Sequence, residues 1–557
     1  MNAAKPGAIA CFAVALVVPV AAARAQAVPD AGQVLREQTA PTLQAPRPAA
    51  GLRLITPPAE PTLPGGARVT LQSVRVQGAS VLSETQLLAD LGDVAGQSFD
   101  MAGLRGLAER VADAYQRAGY PFARAFLPQQ QLASGQLVIE VVEGRFGEVK
   151  ASGDAVLAPQ AQAFLSRLQA GSVIESGALE RATLILDDLP GVKTAPVMRP
   201  GAAFGTGDLE VEVQRTPAVR GDLGYDNHGN RYTGQHRLRA NLFLDSPFML
   251  GDQVQISTLY GSQDLWLGNL SYSLPLGGDG LRANAGYART LYELGKELKS
   301  SGTQGGAQVF TLGLSYPLLR SQAFNLTATA TLQRKDLYSL DVATAREKWS
   351  SDTLPLGLQF DRRDTLGGGG VSYGSLVFTL GQLELSGNKL AQDSSGGVHA
   401  NGSFHKWTLD LARIQATPVE GLSLFGRFSG QIASKNLDSS EKLGLGGAQG
   451  VRAYPSGEGY GDSGWLAQLE LRHAMGAFSP YAFCDAGSVR INANTGSLAQ
   501  PPTSNRRSIA GAGVGTRYVQ GPWSADVAVA WRIQGGEAED ANTRRNPRAW
   551  VTATYRF

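Results

Sequence analysis

The chain has 557 residues and nearly balanced charge, 50 Lys+Arg against 48 Asp+Glu for a net of +2, so nothing in it favours a nucleic-acid partner. Of its two cysteines, Cys11 falls in a leader-like N-terminus and Cys484 stands alone, so no internal disulfide is expected. After the N-terminus no apolar run reaches the ~18–20 residues of a membrane helix, which leaves a membrane barrel open, because barrel strands show only every second residue to lipid.

Residues 1–27 read as a signal peptide. Lys5 supplies the positive start, Ile9 to Val20 the apolar core, and small residues allow cleavage after Ala25 or Ala27. Residues 28–67 read as a helix on a linker. Asp30 can cap a helix over Ala31 to Gln38. Pro41, Pro46, Pro48, Pro57, Pro58, Pro61 and Pro64 then favour an extended, semi-stiff tether. A helix on such a tether is either a disordered tail or a removable plug.

Residues 68–144 show the order strand, helix, helix, strand, strand. Val69, Leu71, Val74 and Val76 mark the first strand. Ser83 caps a short helix with Leu87, Leu88 and Leu91 on one side, and Asp100 caps a longer one carrying Leu104, Leu107, Val111 and Tyr115 at helical spacing. Ala123 to Leu127 and Leu137 to Val142 alternate as strands. The same order recurs over residues 145–217. Phe146 to Ala151 is a strand, Ala161 to Leu168 and Leu179 to Leu189 are helices, and Val192 to Met198 and Leu209 to Val213 are strands. This internal repeat of roughly 75 residues predicts two small α+β domains, each a three-stranded sheet covered by two helices.

Over residues 218–557 helical spacing stops and strand candidates of about ten residues follow one another. Leu326, Ala328, Ala330 and Leu332 alternate with Thr327, Thr329, Thr331 and Gln333. Trp465, Ala467, Leu469 and Leu471 alternate with Leu466, Gln468, Glu470 and Arg472. Apolar outside and polar inside suits a lipid-facing barrel, and closure satisfies every backbone polar group. About sixteen antiparallel strands are expected, enough to enclose an aqueous channel. The predicted fold is a transmembrane β-barrel preceded by two small α+β domains; a soluble sheet protein is the alternative.

A Gly-rich loop over residues 435–464 carries Val451, Arg452, Ala453, Tyr454 and Pro455. Arg452 is a planar, permanently charged fork, and inside a barrel it would need a carboxylate. Asp485 lies on the next strand, where alternation sets it on one face with Phe483 and Gly487. By composition alone, an exposed loop with an ordinary arginine is the simpler reading. Gly461, Asp462, Ser463 and Gly464 imitate a protease nucleophile segment, but His228, His236, His399, His405 and His473 offer no triad context. Gly511 to Gly515 lacks the βαβ unit of a dinucleotide site. No nucleophile–base pair, P-loop or metal spacing is found, so no enzymatic activity, cofactor or metal is expected.

Taken together, the plug and linker, the repeated α+β units, the segment Leu223 to Gly234, the Val451-Arg452-x-Tyr454 loop tip, the Phe483-x-Asp485-x-Gly487 strand and the terminal Phe557 resemble the outer-membrane transporters of two-partner secretion (TpsB), within the superfamily that includes the barrel-assembly subunit. The resemblance covers essentially all of the mature chain. It implies two POTRA-like domains in the periplasm of a Gram-negative cell and a barrel in the outer membrane. It also implies a lumenal salt bridge between Arg452 and Asp485, with Val451, Tyr454, Phe483 and Gly487 completing the motif. Helix 30–38 would rest in the pore, and an unfolded partner exoprotein (TpsA-like) would displace it. Exposed edge strands marked by Ala123, Phe126, Val192 and Val197 would receive that partner by strand addition. Tyr555 and Phe557 would be read by the barrel insertion machinery. One departure is Ala453, where the family commonly has glycine; alanine tolerates positive φ poorly. An assembly factor for other barrels and a passive porin are the rival readings. Two POTRA-like units favour secretion over assembly, and the loop and periplasmic domains argue against a porin.

Overall fold

The computed structural model describes residues 28–39, 46, 53–54, 67–341, 346–496, 498–539 and 545–557. The expected signal peptide and all of the tether prolines except Pro46 lie outside the described residues.

A short helix, α1 (Ala31–Thr39), and a two-residue strand, β1 (Arg53–Leu54), precede the first α+β unit. That unit comprises β2 (Val69–Thr70), β3 (Ser73–Gln77), α2 (Glu84–Leu91), β4 (Ser98–Phe99), α3 (Met101–Arg117), β5 (Arg124–Phe126) and β6 (Gln136–Val142). The single strand expected at its start is divided: β2 pairs with β4, whereas β3 joins a three-stranded sheet in the order β3-β6-β5. Both helices start where their caps dictate. Ser83 forms a reciprocal capping box with Gln86, and the Asp100 carboxylate accepts the Gly103 N–H at 2.8 Å. Leu104, Leu107, Val111 and Tyr115 are buried against Leu137 and Ile139.

The second unit contains β7 (Arg145–Gly153), α4 (Leu157–Ala161), α5 (Ser176–Asp187), β8 (Val192–Pro200) and β9 (Thr206–Arg215). The helix expected over 161–168 is instead the end of α4 followed by a 3₁₀ turn, Gln162–Leu165. Its sheet has four strands, not three, in the order β1-β8-β9-β7. The extra strand comes from the linker: β1 runs parallel to β8, with Arg53 opposite Val197 and Leu54 opposite Met198.

Sixteen antiparallel strands, from Val219–Asp226 to Arg548–Arg556, close a barrel in which each pairs with its neighbours in sequence. The seam joins first to last strand from Asp222 opposite Arg556 to Asp226 opposite Thr552. Alternation sets the faces: Trp465 and Leu469 are exposed outside, whereas Leu466, Gln468 and Glu470 are buried inside. The second unit is fixed to the barrel turns beneath it. Arg320 forks onto both oxygens of Asp188 at 2.6 and 2.7 Å, and the Ser246 hydroxyl donates to the Pro190 carbonyl at 2.6 Å.

Candidate functional site: a pinned loop and a seated helix in the barrel lumen

The loop after strand Leu422–Ala433 folds into the barrel, and its tip meets the inner wall at Arg452. The guanidinium gives Nε to Asp485 Oδ2 at 2.8 Å, Nη2 to Asp485 Oδ1 at 2.7 Å and Nη1 to Glu470 Oε1 at 2.6 Å. The Arg452 backbone N–H also donates to Asp485 Oδ2, at 3.1 Å. Its guanidinium carbon lies 3.5 Å from the centre of the Phe483 ring, so the cation is held by charge at its edges and by a π-face beneath it. Glu470 is shared, meeting Arg472 at 2.8 Å and Arg517 at 3.0 Å, and Arg517 also pairs with Asp526 at 2.8 Å. Three guanidinium groups therefore face three carboxylates, and the buried network carries no net charge.

The rest of the tip is packed as closely. The Tyr454 hydroxyl lies 2.8 and 2.9 Å from the Gln534 and Gly536 carbonyls, and the Trp550 indole donates to the Arg452 carbonyl at 2.7 Å. Val451 is fully buried beside Leu445, Leu466 and Ile509. Gly487 faces Leu445, and a Cβ there would come within 2.8 Å of the leucine Cδ2. Ala453 is absent from the positive-φ residues of the described chain, so its methyl costs nothing in backbone strain. Further along, Glu458 binds Arg507 at 2.5 Å and Lys442 binds Asp462 at 2.7 Å. Glu441 meets Lys406 at 2.9 Å and also bonds Lys335, three strands further round the wall.

Helix α1 sits against this loop inside the barrel. Asp30 caps it, accepting the Gln33 N–H at 2.9 Å, and takes the Ser439 hydroxyl at 2.6 Å. Arg36 Nε donates to the Lys442 carbonyl at 3.1 Å. Glu37 Oε1 accepts Asn230 Nδ2 at 3.2 Å and the Tyr460 hydroxyl at 3.1 Å, and Gln38 accepts Arg237 Nη1 at 2.8 Å. Ala31, Val34 and Leu35 are buried in a cluster with Tyr292, Leu337, Trp349 and Leu437. Close approach requires Gly32, where a Cβ would lie 2.2 Å from Ser439 Oγ and 2.8 Å from the Ser440 nitrogen. Beside α1 a cavity of about 740 Å³ remains, lined by Arg36, Thr327, Lys335, Asp361, Lys406 and Asp410.

A family model described as haemolysin secretion/activation protein ShlB/FhaC/HecB matches residues 205–518, and one described as POTRA domain, ShlB-type, matches residues 69–144. The chain belongs to the ShlB/FhaC/HecB family. The heme/hemopexin transporter protein HuxB of Haemophilus influenzae (strain 86-028NP) is 27% identical over 453 residues, 79% of this chain and 79% of that protein. The hemolysin transporter protein ShlB of Serratia marcescens is 27% identical over 497 residues, 86% of this chain and 85% of that protein. The solved structure of CdiB from Escherichia coli shares the fold, with a TM-score of 0.72 at 21% identity over 90% of this chain and 93% of that one. The protein is thus a transporter of the two-partner secretion family, with its barrel in the outer membrane and its POTRA domains in the periplasm.

In this ShlB-family transporter the remaining expected positions fall differently. Ala123 precedes β5 and is wholly buried in the domain core, so it is not on an edge. Phe126 lies on β5, at the rim of the first sheet, and is 37% exposed. Val192 and Val197 lie on β8, whose outer edge is not open at Val197, because β1 occupies it. Tyr555, on the final strand, holds its ring tilted against that of Trp523 on the strand before it, 4.8 Å between centres, and Phe557 exchanges backbone hydrogen bonds with Gly221 at 2.9 and 3.0 Å. Glu470, Glu441, Arg517 and Gly32 went unrecognised as site residues. Only Glu470 carried a usable signal: it sits on the inward-facing row of its strand, beside Arg472.

Proposed function

We propose that this transporter carries one partner exoprotein, in extended form, from the periplasm through the barrel lumen to the cell surface. The observation that carries the reading is the double obstruction of the lumen. Helix α1 and the Arg452 loop are each held in the lumen by polar contacts, to the wall and to one another. A solute porin gains nothing from such a plug; a conduit that must stay sealed between cargo molecules does.

Receipt of the exoprotein is assigned to the first POTRA domain, at the rim formed by β5. The opposite rim is closed, since the Val76 N–H on β3 is taken by Glu84 at 3.0 Å. On the β5 side of β6, the Gln130 side-chain amide accepts the Val138 N–H and donates to the Val138 carbonyl, both at 2.8 Å. This amide stands where a peptide group of another strand would stand, marking a place that accepts an extended chain. Displacement of α1 then opens the lumen, and folding outside the cell supplies direction. Tyr555 and Phe557 serve biogenesis, as the terminal signal read by the insertion machinery.

Photo-reactive residues at Phe126 and at lumenal Thr327 test this reading in secreting cells. Both are expected to capture the same large exoprotein. Absence of capture at both positions while that exoprotein still reaches the surface would contradict the proposal.

A further inference from the structure

The buried network around Arg452 is neutral, but the lining of the cavity beside α1 is not. Lys335 and Lys406 both end on one carboxylate, Glu441, and divide its two oxygens between them. Lys406 also donates to the Glu441 carbonyl at 2.8 Å, and Arg36 of α1 donates Nε to the next carbonyl, that of Lys442, at 3.1 Å. Three cationic side chains, one from α1 and two from wall strands, thus converge on two consecutive loop residues that supply a single carboxylate. Lys442 adds no anion, and its own ammonium is engaged by Asp462 at 2.7 Å.

The other acids of the cavity are already engaged. Asp410 accepts Arg427 at 3.3 Å and the Ser429 hydroxyl, and Asp361 accepts Arg363 at 3.3 Å and the Asn325 amide at 2.9 Å. Five cations (Arg36, Lys335, Lys406, Arg363 and Arg427) therefore stand against three carboxylates (Glu441, Asp361 and Asp410), an excess of two positive charges. Lys406 and Glu441 are buried, so bulk water does little to screen that excess, and unbalanced charge in such a site draws a counter-ion.

Arg36 gives the counter-ion a shape. With Nε spent on Lys442, the edge formed by Nη1 and Nη2 has no acceptor among the described residues, and the side chain lines the cavity. That edge is a planar fork matched to two oxygens of one oxyanion, whereas each lysine adds a point charge. A cavity of about 740 Å³ has room for such an ion with its water. Its lining also includes Asn325 and Asp361, at the periplasmic end of the wall, where the turn before Phe324 meets the second POTRA domain through the Gln322 N–H and Glu180 at 2.9 Å.

We propose that this cavity is an oxyanion seat, in which a small anion of the phosphate class joins Arg36 on the plug to Lys335 and Lys406 on the wall and so holds α1 in place. Arg36 leaves with the plug, so the open lumen lacks the fork. The anion binds the plugged form alone and shifts the balance towards it. The inference needs only that α1 obstructs the lumen; it adds a small ligand to the resting state and assumes nothing of the cargo.

The test uses the full-length transporter and inorganic phosphate. Calorimetry on the detergent-solubilised protein gives the half-saturating concentration, and channel openings are then counted in planar bilayers at an ionic strength fixed with chloride. At ten times the half-saturating phosphate, openings should fall about tenfold. Arg36→Gln should bind phosphate at least tenfold more weakly, and its openings, whatever their basal level, should change less than twofold. Lys335→Gln, on the wall and bonded to Glu441 but not to α1, should weaken the response likewise. Gln38→Ala, which loosens α1 at Arg237 away from the cavity, should raise basal openings and keep the tenfold response. No phosphate binding by the parent, a parent-sized response in Arg36→Gln or Lys335→Gln, or loss of the response in Gln38→Ala would each overturn the seat. These currents are read without exoprotein, so failure here leaves secretion intact, whereas failure of the transport reading would appear as missing exoprotein capture.

Discussion

The methyl group of Ala453 occupies the space above Gly511: a Cβ on Gly511 would lie 2.3 Å from the Ala453 Cβ. The loop tip and the strand Arg506–Gln520 thus meet through the absence of a side chain on the strand. The bare Cα of Gly511, on the strand beside that of Asp485, accommodates the Ala453 methyl.

Gly511→Ala should therefore push the tip from the wall, with an overpacking cost of about 1–3 kcal/mol. Reduced secretion and faster proteolysis within residues 443–464 are expected, while Ala453→Gly combined with Gly511→Ala should recover both. Unchanged proteolysis in the single variant would show that the contact is not tight.

Arg452→Ala leaves Asp485 buried without its principal cation, a change that costs about 3–5 kcal/mol when a buried pair is broken. Asp485→Ala leaves Arg452 with Glu470 alone. Both variants should insert into the membrane normally and secrete poorly. Arg452→Lys should not restore secretion, because an ammonium cannot fork onto Asp485 while reaching Glu470. Secretion at the parent level by both alanine variants, at equal surface abundance, would remove the pinning role.

Gly32→Val places a branched side chain where Ser439 Oγ and the Ser440 nitrogen already lie within 3 Å. The helix must lift, and larger ion conductance of the reconstituted transporter is expected, with its barrel thermostability unchanged. Parent-level conductance would mean that α1 can shift without opening the lumen.

In the first POTRA domain, burial opposes ionisation of Glu143, but hydrogen bonds to it outweigh that cost. Its carboxylate accepts the Ser80 hydroxyl and N–H, the Val81 N–H at 2.8 Å and the Tyr115 hydroxyl at 3.0 Å. The carboxyl is consequently held below the ordinary glutamate range. Since the folded value lies below the unfolded one, this stabilisation is complete above the ordinary glutamate pKa and is lost as pH falls through the folded value. Amide exchange of residues 73–142 should quicken over that acid range. Glu143→Gln should lose about 2 kcal/mol of protection at neutral pH and flatten the dependence. An unchanged profile in Glu143→Gln would assign the acid sensitivity to other groups.

Much of this architecture is legible in sequence because it rests on local rules. The two-residue alternation of Trp465 to Arg472 gives a barrel strand and its inner face, and Ser83 and Asp100 mark helix starts through their own chemistry. The contact between Arg452 and Asp485 is legible only through the resemblance to two-partner secretion transporters, because composition alone favours an exposed loop with an ordinary arginine. Contacts without periodicity are not. Strand β1 is two residues of linker, and Lys335 reaches Glu441 from 106 residues away in sequence. Ala123 and Val197 look like edge residues by alternation, but alternation reports which face a residue shares, not whether the strand beside it is vacant.

The most direct measurement compares the secreted, surface and outer-membrane proteomes of cells lacking this chain with those of complemented cells. The account requires the loss of one large exoprotein from the surface and medium, with the outer-membrane protein profile unchanged. An unaltered exoproteome, or a general loss of outer-membrane barrels, would contradict it.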